Sequence, residues 1–263
     1  MIHLENVSFS YHPGAPPVFT DLDLEIELLS SLVIAGADAS GKTTLAKLIK
    51  GMLQPDSGTI TSPGDLVFDA GYVGGDPYDS LVGVSVEEDV VFGLENLGLP
   101  APEMRERLAQ ALEWTGLTGM EKRLTHTLSG GEQQKLALAG MLAAGARVLI
   151  IDEAFAMLDR PSRLSIRSLL ASLRRDPGLT LIEVTNDLED SVAADRMIFL
   201  SEGSILFDGV PMDFLASPLG RRWSGMAGGL GALVGALFER GILPEPFGDR
   251  SRLTSFLLHH FSR

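Results

Sequence analysis

Residues 36–43 read GADASGKT, a glycine-containing loop that ends in a lysine and a threonine. When a helix begins at the end of such a loop, its backbone N–H groups present partial positive charge to phosphate oxygens. The Lys42 ammonium adds a full charge, and the Thr43 hydroxyl is a ligand for Mg²⁺. The pattern predicts binding of ATP or GTP, and the alternative is an ordinary glycine-rich turn between a strand and a helix.

Ala39 lies inside this loop, where glycine is common because the backbone needs a positive φ angle. A residue other than glycine is strained there by on the order of 1 kcal/mol or more. We therefore expect Ala39 to weaken nucleotide binding without abolishing it.

Two adjacent acids, Asp152 and Glu153, follow the apolar run VLII. In an open α/β sheet, ligands lie beyond the carboxyl ends of the strands. Asp152 can hold Mg²⁺ through water there, and Glu153 can orient or deprotonate a hydrolytic water. Two acids after a strand are by themselves more often a solvated turn. Because the phosphate loop lies upstream, we favour the metal-binding and catalytic roles over the solvated turn.

The spacing of apolar residues predicts the α/β framework that must position these groups. The predicted strands are residues 2–11, 22–27, 32–35, 148–151, 179–184 and 197–200. Helical spacing follows the phosphate loop (Leu45, Leu48, Ile49, Met52 and Leu53) and also follows Pro102 and Pro161. We expect an initial antiparallel layer, a parallel sheet covered on both faces and a hairpin near Gly203.

Composition excludes several functions. The net charge of -14, from 35 acids against 21 Lys and Arg, argues against nucleic acid as a partner. The absence of cysteine excludes disulfides and thiolate chemistry. No secretory signal begins the chain, and its most apolar stretch, residues 225–238, is too short to span a bilayer. Any association with a membrane must therefore depend on a partner.

Residues 128–132, LSGGE, precede a helix-forming run at residues 133–144. Glycines before a helix expose N–H groups that can meet the γ-phosphate of a second nucleotide, although Ser-Gly-Gly alone is a plain helix cap. With the phosphate loop and the acid pair, this segment resembles the signature of ATP-binding-cassette (ABC) transporter ATPases. The resemblance covers nearly the whole chain and implies the P-loop NTPase fold of an ABC nucleotide-binding domain, with an antiparallel β subdomain and a helical subdomain.

The same resemblance implies ATP and Mg²⁺ as cofactors and a head-to-tail dimer with two composite ATP sites. Tyr11 resembles the aromatic residue that stacks on adenine, although an aromatic on a strand is as often core. Residues 157–159 resemble the loop that couples the two sites. The implied site residues are Tyr11, Gly36, Asp38, Ser40, Gly41, Lys42, Thr43 and Thr44 for the nucleotide, Thr43 and Asp152 for Mg²⁺, Ser129, Gly130, Gly131 and Glu132 for the signature, and Glu153 and Asn186 for catalysis.

A closer resemblance, carried by residues 81–100 and 181–185, is to the ATPases of energy-coupling factor (ECF) importers. It implies import of vitamins or transition-metal ions, a second ATPase subunit that is a paralogue or another copy, and a peripheral position on the cytoplasmic face of the membrane. An integral membrane subunit would dock on residues 72–99, which could otherwise be an acidic amphipathic segment. We expect a nucleotide-binding domain over residues 1–216, with its helical subdomain near 76–145, and a helical C-terminal appendage over 217–263, with short helices at 230–240 and 253–261.

Two departures from the family pattern affect the chemistry. Residues 74–77 are GGDP where the family has Phe-Gln-Asn-Pro, so Gly75 replaces a glutamine. Residues 185–187 are TND where the family has Thr-His-Asp, so the amide of Asn186 can reach a γ-phosphate but cannot carry positive charge. Each loss typically costs on the order of 10² to 10³ in rate. We predict that the chain hydrolyses ATP slowly at its own site, while its intact signature completes the ATP site of a partner subunit. This combination fits an asymmetric heterodimer. The alternative is a non-hydrolysing, ATP-gated partner of an active paralogue.

Overall fold

The described strands form two sheets, and helices separate several of these strands along the chain. The computed structural model describes residues 1–65, 70–76, 80–155, 158–175, 178–186 and 193–227. The strands are β1 (Ile2–Phe9), β2 (Phe19–Ile26), β3 (Ser31–Gly36), β4 (Ser57–Thr61), β5 (Gly71–Val73), β6 (Val148–Asp152), β7 (Thr180–Val184), β8 (Arg196–Ser201) and β9 (Ser204–Gly209). The helices are α1 (Lys42–Lys50), α2 (Val86–Asn96), α3 (Ala101–Thr115), α4 (Gly130–Ala143), α5 (Arg160–Arg175), α6 (Pro211–Ala216) and α7 (Pro218–Ala227), with 3₁₀ segments at Pro63–Asp65 and Thr125–Thr127.

The first sheet is antiparallel, in the order β2-β1-β4. Alternation in β2 buries Leu22, Leu24 and Ile26 and leaves the acids between them exposed. The prediction of a half-buried antiparallel strand is confirmed. Strand β1 ends at Phe9 and does not reach Tyr11 as predicted.

The second sheet has the order β5-β6-β7-β3-β8-β9. All its pairings are parallel except β8 with β9, which is the hairpin expected near Gly203. Every residue of β3, β6 and β7 is buried, as in a parallel sheet covered on both faces.

Alternate residues of β6 and β7 enter two different cores. Ile150 and Ile182 join α1 and the first sheet on one face, whereas Leu149 and Leu181 join α4 and α5 on the other. The predicted layered architecture is therefore confirmed. It places the carboxyl ends of β3, β6 and β7 at one edge of the sheet.

Helices α2, α3 and α4 enclose a core of their own. Its buried members include Val90 from α2, Leu112 from α3 and Leu136 from α4. Ser85 caps α2 through a reciprocal pair with Glu88, which fixes where this helix begins. These three helices form a distinct helical unit beside the second sheet.

Helix α1 is shorter than its apolar spacing predicts. Gly51 ends it in a left-handed conformation, so Met52 and Leu53 lie beyond the helix, and Met52 is exposed. At the other end of the described chain, the Trp223 ring of α7 lies 5.1 Å from the Phe199 ring of β8. The predicted helices at residues 230–240 and 253–261 fall outside the described residues. Within the described ranges, no helix is long and apolar enough to cross a membrane.

Candidate active site

The phosphate loop connects β3 to α1, as its sequence predicts. A Cβ atom on Gly36 would lie 2.3 Å from the Leu200 carbonyl oxygen, so only glycine allows this close approach. Gly41, in the left-handed region, comes directly before the first residue of α1, which is Lys42. Ala39 has a φ of 60°, which confirms the expected positive φ at this position.

Lys42 lies across the loop. Its Nζ donates hydrogen bonds to the carbonyl oxygens of Gly36 (3.1 Å) and Ala37 (2.9 Å). Burial lowers the pKa of Lys42, and the nearby carboxylates of Glu153, Asp38 and Asp152 oppose that shift. Lys42 is therefore a buried cation that loop carbonyl oxygens hold and that nearby carboxylates balance, as buried charges require.

The Asp152 carboxylate ends β6 and has a partner on each oxygen. The Thr43 hydroxyl donates to Oδ1 at 3.1 Å, and the Tyr72 hydroxyl donates to Oδ2 at 2.6 Å. Burial is the main cause that raises the pKa of Tyr72 far above its ordinary value, and the hydrogen bond to Asp152 is the second. The Tyr72 hydroxyl therefore keeps its proton and acts as a donor.

Thr43 and Asp152 fit Mg²⁺ by the chemistry of their donor atoms. A hydroxyl and a carboxylate oxygen 3.1 Å apart are hard donors of the kind Mg²⁺ prefers. Among the described residues, no group of three or more acids or histidines forms an all-protein metal cage. A site with few protein ligands suits Mg²⁺, which keeps several waters and binds through substrate phosphates.

Glu153 follows Asp152 in a left-handed conformation with a φ of 55°. Its backbone N–H donates to the Val184 carbonyl oxygen at 3.0 Å, so β7 fixes the peptide while the side chain stays exposed. A residue other than glycine held in this region costs about 1 kcal/mol or more. The two adjacent acids therefore point differently, with Asp152 buried and Glu153 facing solvent.

Gly75 lies against this acid pair. A Cβ atom on Gly75 would lie 3.5 Å from the Asp152 carbonyl oxygen and 3.9 Å from the Glu153 Cβ, both ordinary contacts. Gln134, fully buried on α4, donates to the carbonyl oxygens of Gly74 (3.2 Å) and Gly75 (3.0 Å). The chain thus approaches the acids at the position where the family pattern has a glutamine, but no side chain extends from it.

Asn186, just after β7, reaches the phosphate loop. Its Nδ2 donates to the Asp38 Oδ1 at 3.0 Å. The structure therefore brings together residues that the sequence suggested for one site but separates by 148 positions. Asp187, the next residue of the motif, lies outside the described residues.

Tyr11 lies beside the start of α1. Its hydroxyl and the Thr44 hydroxyl are 2.9 Å apart, and its ring meets Phe9 edge-on. Tyr11 is 51% exposed, which favours a surface for stacking over the alternative of core packing.

The LSGGE segment caps α4. The Ser129 hydroxyl accepts from the Glu132 N–H, and the Glu132 carboxylate accepts from the Ser129 N–H at 2.7 Å. That N–H bond, with the Arg123 guanidinium 2.9 Å away, holds the pKa of Glu132 below its ordinary value. Ser129 and Gly130 are exposed, and within the described part of the chain no hydrogen bond joins residues 129–132 to the phosphate loop.

Of residues 157–159, Met157 lies outside the described part of the chain. Leu158 is buried in the core with α4 and α5, and Asp159 precedes the start of α5. The Ser162 hydroxyl lowers the pKa of Asp159.

Sequence reasoning missed two contributors, Tyr72 and Gln134. Tyr72 was expected at the start of the docking surface for a membrane subunit, but its half-buried side chain bonds Asp152. The strand pairing of β5 with β6 is the signal that would have found Tyr72, and it cannot be read from one strand alone.

Comparisons with known proteins identify the family to which the chain is similar. The sequence profile of the family described as ABC transporter matches residues 19–156. The energy-coupling factor transporter ATP-binding protein EcfA1 of Lacticaseibacillus paracasei is 33% identical, over 98% of this chain and 96% of that protein. The EcfA1 protein of Ligilactobacillus salivarius is 38% identical, over 80% of this chain and 78% of its own.

Among solved structures, cbiO1 from Clostridium perfringens, described as part of the ABC transporter complex cbiONQ, superposes with a TM-score of 0.75 at 28% identity. The superposition covers 90% of this chain and 98% of that one. The chain therefore belongs to the ABC transporter family, as an ATP-hydrolysing, ATP-binding subunit of the energy-coupling factor type.

Proposed function

We propose that this chain binds Mg-ATP and uses its hydrolysis to energise an ECF-type membrane importer of vitamins or transition-metal ions. The observation that carries the proposal is the convergence of Lys42, Thr43, Asp152 and Glu153 beyond the carboxyl ends of β3 and β6. The alternative of a non-hydrolysing partner is not favoured, because the family to which the chain belongs hydrolyses ATP.

The phosphate loop holds the triphosphate in this proposal. The loop and the first turn of α1, which include Gly36, Asp38, Ser40, Gly41 and Thr44, supply backbone N–H groups, and Lys42 neutralises charge on the phosphates. The Tyr11 ring, exposed beside α1, stacks on the adenine.

Mg²⁺ would be held by Thr43 directly and by Asp152 through water. When bound, the ion would neutralise charge that develops on the transferred phosphoryl group. Glu153 orients and deprotonates the attacking water, because its side chain is exposed and lies close enough to Lys42 to act on the pKa of that ammonium. The Asn186 amide, which reaches Asp38 in the phosphate loop, donates to the γ-phosphate.

We infer that hydrolysis at this chain's own site is slow. Gly75 lies against Glu153 without a side chain that could hydrogen-bond to water or metal. Asn186 offers a neutral donor where positive charge would stabilise the transition state better. These two losses fall in the same site, so their effects need not multiply.

A second ATPase subunit completes each site in a head-to-tail dimer, and we propose a paralogue in that role. Gly130 and Gly131, at the N-terminus of α4, present N–H groups to the partner's nucleotide, while Ser129 and Glu132 hold this helix end through their reciprocal hydrogen bonds. In such a dimer, the well-formed signature segment of this chain would complete the active ATP site of the partner, and the partner's site would compensate for the slow hydrolysis at this chain's own site.

An integral membrane subunit docks on the helical unit. We propose that residues 72–99 form this surface, since several described residues among them expose apolar side chains that a core does not explain. The exposed fractions are 66% for Val82, 63% for Val84, 46% for Phe92 and 54% for Leu97. Docking there would hold the chain peripherally on the cytoplasmic face of the membrane.

The domain limits follow the same proposal. The separate core of α2, α3 and α4 supports a helical subdomain near residues 76–145 within a nucleotide-binding domain of residues 1–216. The C-terminal appendage, residues 217–263, stays a prediction beyond α7.

Co-purification and ATPase assays test the proposal together. A tagged chain, isolated from membranes of its own host, is expected to carry an ATPase paralogue and an integral membrane protein. The assembly should hydrolyse ATP faster than the isolated chain. Glu153→Gln should leave the assembly intact. Failure to recover any membrane protein would contradict the importer, and brisk Glu153-dependent hydrolysis by the isolated chain would contradict the slow site.

A further inference from the structure

The Asp152 carboxylate lies between two hydroxyl groups, and only one of them belongs to the phosphate loop. Thr43 donates to Oδ1 at 3.1 Å, while Tyr72 donates to Oδ2 at 2.6 Å. The shorter of the two bonds therefore comes from a residue with no role in the proposed mechanism.

The sheet register explains how Tyr72 reaches the acid. Tyr72 on β5 pairs with Ile150 on β6 in parallel, and Asp152 lies two residues further on the same face as Ile150. The Tyr72 ring packs against the core that contains Ile150. A tyrosine that leans along its strand can therefore bury its ring on Ile150 and place its hydroxyl on Asp152.

The chain continues from Tyr72 to Gly75, which lies against the same acid pair. Gly75 has no side chain, although its nearest neighbours leave room for a Cβ atom. The polar side-chain group that this segment delivers to Asp152 is thus the Tyr72 hydroxyl, three residues earlier.

We propose that Tyr72 is a positioning residue of the magnesium site, whose hydroxyl fixes the Asp152 carboxylate so that Oδ1 faces Thr43. The inference rests on the proposed function, since it assigns Tyr72 to the Mg-ATP site. Without the Tyr72 bond, only the longer Thr43 bond restrains rotation of the carboxylate about its terminal torsion, so the Oδ1 atom is held less firmly in direction. Tyr72 should therefore matter for magnesium-dependent binding and not for the nucleotide alone.

Binding of a fluorescent ATP analogue to the full chain tests this assignment. The free Mg²⁺ concentration is varied for the wild type and Tyr72→Phe, which retains the ring, and parallel titrations in EDTA omit the metal. We expect the Mg²⁺ midpoint of Tyr72→Phe to rise about tenfold, the scale of one hydrogen bond to a charged group. Affinity in EDTA should stay within about twofold of the wild type. Tyr72→Met, which keeps apolar bulk without a hydroxyl, should show the same shift.

A double-mutant cycle separates positioning from packing. In an Asp152→Asn background, Tyr72→Phe should cause no further rise in the Mg²⁺ midpoint, because the carboxylate that it positions is gone. An unchanged midpoint in both Tyr72 variants, an equal loss in EDTA, or additive effects in the cycle would each overturn the assignment. If wild-type protein bound no nucleotide with or without Mg²⁺, the proposed function itself would fail, and the Tyr72 assignment with it.

Discussion

Gly75 lies directly beside Glu153, with an ideal Gly75 Cβ only 3.9 Å from the Glu153 Cβ. Residue 75 thus adjoins the proposed base but supplies no polar group to it. The relationship places the family departure at residue 75 inside the candidate active site, and it gives the slow-site proposal a direct test.

Gly75→Gln should accelerate ATP hydrolysis. The position is not in the left-handed region, and the contacts of an added Cβ are ordinary, so a Cβ atom can be added there without strain. A preorganised polar contact is worth on the order of 10² in rate, and we expect an increase of at least about tenfold. Steady-state phosphate release measures it.

Gly140→Gln is the matched control, because Gly140 on α4 also has open space around its Cβ direction. It should leave the rate unchanged. A Gly75→Gln variant that folds and binds Mg-ATP but hydrolyses no faster would contradict the explanation for the slow site.

Asn186→His should raise the hydrolysis rate further in the Gly75→Gln background. Asn186 already reaches the phosphate loop through Asp38, and histidine there can carry the positive charge that asparagine lacks. We expect about a further tenfold in single-turnover hydrolysis. Equal rates for the single and double variants would show that the charge at this position does not limit the reaction.

Ala39→Gly should stabilise the protein. With a φ of 60°, Ala39 carries strain of about 1 kcal/mol that glycine would relieve. The melting temperature should rise by about 2–4 °C for a chain of this size. Ala144→Gly, at a residue with a φ of -64°, is the control and should lower it. A fall in both variants would mean that the loop is not strained at Ala39.

Arg167→Ala should destabilise the fold strongly. Arg167 on α5 donates to the Glu183 carboxylate at 2.6 Å, and the Glu183 side chain is only 6% exposed. Removing one partner from a buried pair costs about 3 kcal/mol or more in the free energy of unfolding. Urea denaturation measures that loss.

The control for Arg167→Ala is Lys122→Ala, which breaks the exposed pair with Glu87. Its cost should stay below about 1 kcal/mol. Similar losses for the two variants would mean that burial does not set the strength of the Arg167 pair.

Local sequence was sufficient for the phosphate loop and the strands around it. An apolar run, a glycine turn and helical spacing specify β3, the loop and α1, and even the positive φ of Ala39 followed from its place in the loop. The helical spacing of apolar residues predicted that α1 would extend to Met52 and Leu53. The helix ends earlier, because Gly51 terminates it.

Contacts between distant segments could not be predicted in this way. Tyr72 and Asp152 meet only because β5 lies beside β6, and Asn186 meets Asp38 only because β7 lies beside β3. Strand order is a property of the whole sheet, so no single segment encodes it. The family resemblance predicted that Asn186 belongs to the active site, but it did not predict that Tyr72 contacts Asp152.

Calorimetric titration of the isolated chain with ATP, with and without Mg²⁺, tests the central claim most directly. The account predicts magnesium-dependent binding that Lys42→Ala abolishes or weakens by at least about tenfold, since that variant removes the buried cation of the phosphate loop. Absence of magnesium-dependent binding at millimolar nucleotide, or equal binding by the wild type and Lys42→Ala, would contradict it.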